Sequence, residues 1–195
     1  VGLDIGNSKI SCVVCDLRKN QKPKILSFVS FPTLNVNKSA LINYNAIKSE
    51  VKKVIDEAAK DSQTEIKSIN LNLPLSKSNS NFYSSSINIE NELINDLHLK
   101  KAVNQSSFFE NSVNEEIIMN FIMSYEVDDK VFFENPIGNF AKKLNLNFYK
   151  LSVDQNLINT YKNLFKELNI HIEEIIPTPL SSALATLNRD DKDLG

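Results

Sequence analysis

The chain has 195 residues, is 42% hydrophobic, and carries 22 basic against 24 acidic residues for a net charge of −2. That is enough for one large domain or two small ones with real cores, and the near-balance of charge gives no electrostatic case for nucleic acid. No apolar run of about 18 residues is present, and Asp4 falls within the first few residues with no cleavage site after it, so neither a membrane-spanning helix nor a signal peptide is expected. A cytoplasmic chain is the natural expectation. The missing initial Met and the polar run that closes the sequence predict a piece of something longer.

In chain order, Val1 to Val14 holds two runs of β-formers joined by Gly6-Asn7-Ser8, which predicts a hairpin. Asp4 sits where the first strand stops, in position to hold the water shell of a Mg²⁺ ion. The amides of Gly6, Asn7 and Ser8 follow, and such a turn can aim successive N–H groups at phosphate oxygens. Gly6, lacking a Cβ, lets the backbone approach closely. The same residues equally make an ordinary hairpin with a surface acid, and the pattern alone does not choose. Cys12 and Cys15 spell C-x-x-C, but a three-residue offset within a strand puts them on opposite faces. With only His98 and His171 elsewhere, no zinc set forms, and buried strand thiols are expected.

Residues 16–23 read as a polar turn, Lys24 to Phe31 as a third strand and Pro32 to Asn43 as a polar connection. Tyr44 to Lys60 has helical period, with Ile47, Val51, Val54, Ile55, Ala58 and Ala59 on one stripe. Glu65 to Leu73 is a fourth strand ended by Pro74. A helix between strands predicts a right-handed crossover back into the same sheet. The Ser/Asn-rich stretch from Lys77 then places a boundary over Pro74 to Asn79.

Beyond it, Phe82 to Ile89 alternates as a strand, and Asn95 caps a helix running to about Ser106 with Leu99, Ala102, Val103 and Ser106 inward. Glu115 to Val127 is a long strand whose Ile117, Met119, Phe121, Met123, Tyr125 and Val127 share one side, expected to be core under the helix rather than a binding surface. Asn135-Pro136-Ile137-Gly138 is a turn, and Leu144 to Val153 is another strand. Asp154 caps an amphipathic helix ending near Asn169, with Leu157, Ile158, Tyr161, Leu164, Phe165 and Leu168 as its stripe. Ile170 to Ile176 is a strand. The helix from Leu180 to about Leu187 carries small residues, Ser181, Ser182, Ala183 and Ala185, suited to close helix packing.

The run Leu3-Asp4-Ile5-Gly6-Asn7-Ser8-Lys9-Ile10 resembles the first phosphate loop of the actin, Hsp70 and sugar-kinase superfamily, and within it the bacterial cell-division FtsA family. Four further stretches resemble that family in the right order. They are Thr64 to Leu71, Glu134 to Gly138 (its "NP(I/V)G" turn), Pro179 to Leu187 (its "PLASA..VL" helix) and Asp190 to Gly195 (its "EDE+ELG" run). The fold so implied is α/β, a ribonuclease H-like (actin-like ATPase) subdomain with an inserted small α+β module. The expected division is residues 1–76 as the first part of subdomain 1A, 77–152 as the inserted 1C module and 153–195 as the second part of 1A.

The resemblance implies that Asp4 orients Mg²⁺ through water, that the Gly6, Asn7 and Ser8 amides contact ATP phosphates, and that Lys9 adds charge. It further implies a longer protein that binds ATP and Mg²⁺, forms filaments and recruits later division proteins through 1C. That protein would bind the tubulin-like FtsZ through a 2B part and dock on the inner face of the membrane at the division site through a C-terminal helix, both outside these 195 residues. Turnover would be at most weak, since Thr178 stands before Pro179 where many hydrolytic relatives have an acid. With one wall of the cleft, residues 1–195 alone are expected to bind ATP weakly or not at all and to be inactive. The segment after the third strand lacks the family's usual glycines and Arg, and Asn7 stands where Thr is common. Three other readings stay open: a type IV pilus scaffold of the PilM kind with the same plan, a sugar-type kinase, for which no acidic substrate-site constellation is found, and an interaction module without nucleotide.

Overall fold

A computed structural model describes residues 1–19, 21–37, 40–74, 78–106 and 114–194. The chain divides into two compact units, Val1–Lys77 with Asn156–Gly195, and Ser78–Gln155.

The first unit opens with β1 (Gly2–Ile5), β2 (Lys9–Asp16) and β3 (Lys24–Pro32), an antiparallel meander. The connection that follows carries the two-residue strands β4 (Val36–Asn37) and β5 (Ala40–Leu41), paired to each other, where the sequence reads only as a polar link. Asn43 then accepts a hydrogen bond from the Ala46 amide at 3.1 Å and caps α1 (Tyr44–Ser62). Its stripe of Ile47, Val51, Val54, Ile55 and Ala58 is buried on β2 and β3. Gln63, left-handed at φ 53°, ends the helix. The chain returns as β6 (Ser68–Leu73), parallel to β1.

The second unit begins at once with β7 (Ser78–Leu93). The Ser/Asn-rich stretch from Ser78 is therefore strand rather than linker. Its small polar side chains satisfy the ladder as well as β-branched ones would, because the backbone makes those bonds. Lys77, at the expected boundary, lies outside the described residues. Next come α2 (Asp96–Ser106), capped by Asn95 Oδ1, which accepts from the Leu97 and His98 amides, then β8 (Glu115–Val127), β9 (Lys130–Phe132) and β10 (Phe140–Asp154). The sheet order is β7-β10-β8-β9, and α2 covers one face with Ala102 buried and Leu99 and Val103 packed against Ile87, Ile89, Leu144, Leu146 and Phe148.

The apolar side expected along β8 is broken. Its pairing with β10 slips at two bulges, between Asn147 and Phe148 and between Leu151 and Ser152. A one-residue slip exchanges the faces of a strand. Tyr125 and Val127 therefore join the core, while Phe121 faces the other way opposite Tyr149 and Met123, at the bulge, is 51% exposed. The tight β8–β9 turn, Asp128-Asp129 with both residues at positive φ, is a hairpin the sequence reading passed over, although Asp tolerates that region.

The first unit resumes with α3 (Gln155–Glu167), β11 (His171–Pro177), α4 (Thr178–Thr186) and α5 (Arg189–Leu194). The junction stands at Gln155/Asn156 rather than at 152/153, because β10 runs on to Asp154. Ile158, Tyr161, Leu164 and Phe165 of α3 are buried, and Tyr44 and Lys48 of α1 both bond Glu167, at 3.0 and 2.7 Å. β11 lies parallel to β6 and completes the order β11-β6-β1-β2-β3. At the end, no residue of α4 is buried, and Asn188 to Leu194 is not merely a polar run but holds α5, where the Asn188 and Asp191 side chains cap each other's amides at 2.9 Å.

Candidate functional site

Alternation in the five-stranded sheet sorts its side chains cleanly. Leu3, Ile5, Ile10, Cys12, Ile69, Leu71 and Leu73 are buried on the helix-covered face. Gly2, Asp4, Ser11, Val13, Asn70 and Asn72 are half-buried on the other. There they line a shallow depression of about 270 Å³ that Phe28 and Ser181 help to wall.

Asp4 stands one residue from the end of β1 with its carboxylate above this depression. Its Oδ1 accepts from the Asn72 side-chain amide at 2.9 Å. Asn72 Oδ1 in turn accepts from Ser181 Oγ at 2.7 Å. Among the described residues no hydrogen bond to Asp4 Oδ2 is found, so that oxygen is left to face solvent or a hydrated cation. Beneath it, burial first and the Asp4 charge second push the Tyr161 phenol up to about 12.

The turn after Asp4 is built as follows. The Gly6 amide donates to the Lys9 carbonyl at 3.0 Å and closes it. A Cβ on Gly6 would crowd that carbonyl at 3.1 Å and touch Asp4 Oδ2 at 3.6 Å, so glycine keeps this cradle open. Ser8 is pinned from behind, its carbonyl accepting from the Thr33 amide at 2.9 Å. Thr33, itself buried, donates to Glu50 at 2.6 Å, and Asn35 donates to the other Glu50 oxygen at 2.8 Å. The connection after β3 is thus fastened to α1 and holds the turn in place.

Asp4, Gly6, Asn7, Ser8 and Lys9 accordingly lie together at one end of the sheet. Asn7, Ser8 and Lys9 are exposed. One expected contact changes: the Gly6 N–H is already engaged, so the amides of Asn7 and Ser8 remain for an anion. The open cradle and the uncommitted Asp4 oxygen fit a hydrated Mg²⁺ beside a phosphate. Asn72 and Ser181 are the members that sequence reasoning missed. The signal was there in Ile69-Asn70-Leu71-Asn72-Leu73, whose asparagines alternate on the face that carries Asp4. Cys12 is buried and Cys15 half-buried, both unpaired, and among the described residues no group of acidic, His or Cys side chains forms a metal cluster.

A meander, a crossover helix, two parallel strands and an acid ending the first strand define the ribonuclease H-like half of an actin-like ATPase fold, here with an α+β module inserted after the fourth strand of the sheet. The chain superimposes on a solved PilM–PilN type IV pilus biogenesis complex with a TM-score of 0.61 over 94% of its length and 48% of that chain, at 12% identity. No family model matches. In sequence, the whole chain is similar to FtsA cell-division proteins. It is 19% identical over 195 residues to that of Pseudomonas aeruginosa and 25% identical over 204 residues to that of Buchnera aphidicola from Acyrthosiphon pisum. With the FtsA of Borreliella burgdorferi it shares 23% over 198 residues. It spans about half the length of these relatives, 47% of the first two and 48% of the third.

Proposed function

We propose that these residues form the N-terminal half of an actin-like, FtsA-type cell-division protein, with the 1–77 and 156–195 unit supplying one wall of an ATP–Mg²⁺ site. The observation that carries the reading is the Asp4 carboxylate, open at Oδ2, beside the Gly6 cradle, in a chain similar to FtsA proteins from end to end. In this reading Asp4 would hold the water shell of a Mg²⁺ ion that supplies charge neutralisation, the Asn7 and Ser8 amides would meet phosphate oxygens, and Lys9 would add positive charge at the rim. Glu50, through Thr33 and Asn35, keeps the turn in register.

The whole protein would form filaments, tether FtsZ to the inner face of the membrane through parts outside this chain, and recruit later division proteins through the 78–155 module. Turnover would be weak, since Thr178 supplies no carboxylate beside the site. A pilus scaffold shares the fold, so fold likeness does not separate the two readings; the sequence similarity along the whole of this chain favours the division protein.

The test pellets the full-length protein with liposomes with and without MgATP, beside Asp4→Ala. Pelleting and filaments that depend on MgATP, with the dependence lost in the variant, are expected. Equal pelleting without nucleotide, unchanged in Asp4→Ala, would make the cleft a relic. Calorimetry on residues 1–195 alone should show no ATP binding at micromolar concentrations.

A further inference from the structure

Asp4 is not aimed by the turn that follows it. It is aimed from the side, by a chain of hydrogen bonds that ends in a different element. Asn72 lies directly opposite Asp4 in the parallel β1–β6 ladder, and its amide nitrogen donates to Asp4 Oδ1 at 2.9 Å. Its amide oxygen accepts from Ser181 Oγ, 2.7 Å away in the first turns of α4.

A side-chain amide has one donating end and one accepting end. It can join a carboxylate to a hydroxyl in one orientation only, nitrogen to the acid and oxygen to the hydroxyl. The carboxylate only accepts, so Asp4 decides which end of the amide it meets; the Ser181 proton, received at Asn72 Oδ1, completes the amide's bonding and holds its plane against Asp4 Oδ1. The Ser181 hydroxyl also lies 3.0 Å from the Thr178 carbonyl within its own helix. It has a single proton, so the two acceptors compete. With the proton on the Thr178 carbonyl, Asn72 Oδ1 loses this donor and the amide is held by its bond to Asp4 alone. None of the residues of α4 is fully buried, and the helix rests on β11 and β6. A displacement of the helix relative to β6 changes the distance from Ser181 Oγ to Asn72 Oδ1 while the Thr178 carbonyl, in the same helix, moves with the hydroxyl.

We propose that Asn72 is a positioning residue that couples the placement of α4 to the aim of Asp4, so that α4 acts as a lever on the affinity of the site for Mg²⁺–nucleotide. The inference rests on the nucleotide reading above and deepens it. Partners that orient a metal-binding carboxylate in this indirect way typically change metal affinity by about 10- to 100-fold when removed. They leave the direct contacts to the rest of the ligand in place.

The experiment measures ATP affinity of the full-length protein by calorimetry, once with excess Mg²⁺ and once with excess EDTA, for wild type, Asn72→Leu, Ser181→Ala and Ser181→Thr. The expected result is a loss of about tenfold or more in Mg²⁺-dependent affinity for Asn72→Leu and Ser181→Ala. Affinity in EDTA should stay within about twofold, and Ser181→Thr, which keeps the hydroxyl, should restore most of the loss. A merely structural role would lower both affinities together, and that result overturns the proposal. So does an unchanged Mg²⁺ dependence in Ser181→Ala, which removes a single oxygen from a half-buried position and decides the matter even if Asn72→Leu fails to fold. If wild type itself shows no Mg²⁺-dependent binding, the nucleotide reading falls and this inference with it. If wild type binds and the variants match it, the inference alone falls.

Discussion

Cys12 and Glu50 show how much a single side chain's surroundings decide. Burial pushes the Cys12 thiol from its ordinary 9.0 up to about 11, so at neutral pH it is a small core residue with no thiolate character. Native protein treated with iodoacetamide should label Cys15 well before Cys12, and both should label alike in urea. The sign of the pH effect follows from the same shift. Above about pH 9 the unfolded thiol releases a proton that the native one keeps, so this contribution to stability is whole below 9 and is lost as pH rises toward 11. The fall in urea midpoint between about pH 8 and pH 10.5 should be smaller in Cys12→Ala than in wild type. Glu50, by contrast, holds two donors of one connection. Glu50→Ala leaves the buried Thr33 hydroxyl without its carboxylate partner and should cost about 2 kcal/mol in urea unfolding, with weaker nucleotide binding because the Ser8 turn loosens.

The elements were legible where a single period governs them. The α1 stripe is buried as its spacing requires, and the α3 stripe is buried at Ile158, Tyr161, Leu164 and Phe165. α3 ends where Asn169 adopts φ 56° and the Ile170 amide turns back to the Phe165 carbonyl, the left-handed close that Asn tolerates. Asn169→Val should therefore cost about 1–2 kcal/mol, while Asn169→Gly should be neutral or mildly stabilising; thermal unfolding of the two variants checks the pair. β8 was misread because a period of two assumes an unbroken register, and two bulges break it. Strand edges show the same local logic. At the sheet edge, β11 carries Glu173 and Glu174 beside its own register slip, a charged and bulged border of the kind that discourages edge-to-edge pairing.

At the scale of the molecule, the inserted unit has its own closed core, Ile87, Ile89, Ala102, Leu144, Leu146 and Phe148 among its members. Its two ends leave side by side, with Ser78 paired to Val153 across the β7–β10 ladder. An insert whose ends meet imposes little closure cost on its host. Residues 78–155 expressed alone should therefore fold and unfold cooperatively by circular dichroism in urea. A flat, gradual transition would show that its core depends on the rest of the chain. No helix among the described residues is long and apolar enough to cross a membrane.

The sequence by itself determined the meander, the crossover helix, the inserted α+β unit and the Asp4–Gly6 turn. The hairpins, helices and turn within them depend on residues close together in the chain, whose periodicity and backbone preferences act before any distant contact forms. Tertiary structure alone decided the rest. It placed Asn72 and Ser181 on Asp4 across separations of 68 and 109 residues in the Asp4–Asn72 and Asn72–Ser181 bonds. It also turned Phe121 away from the core. These outcomes depend on strand register and on which parallel neighbour stands beside β1, and pairing between distant strands is fixed only when the whole sheet assembles.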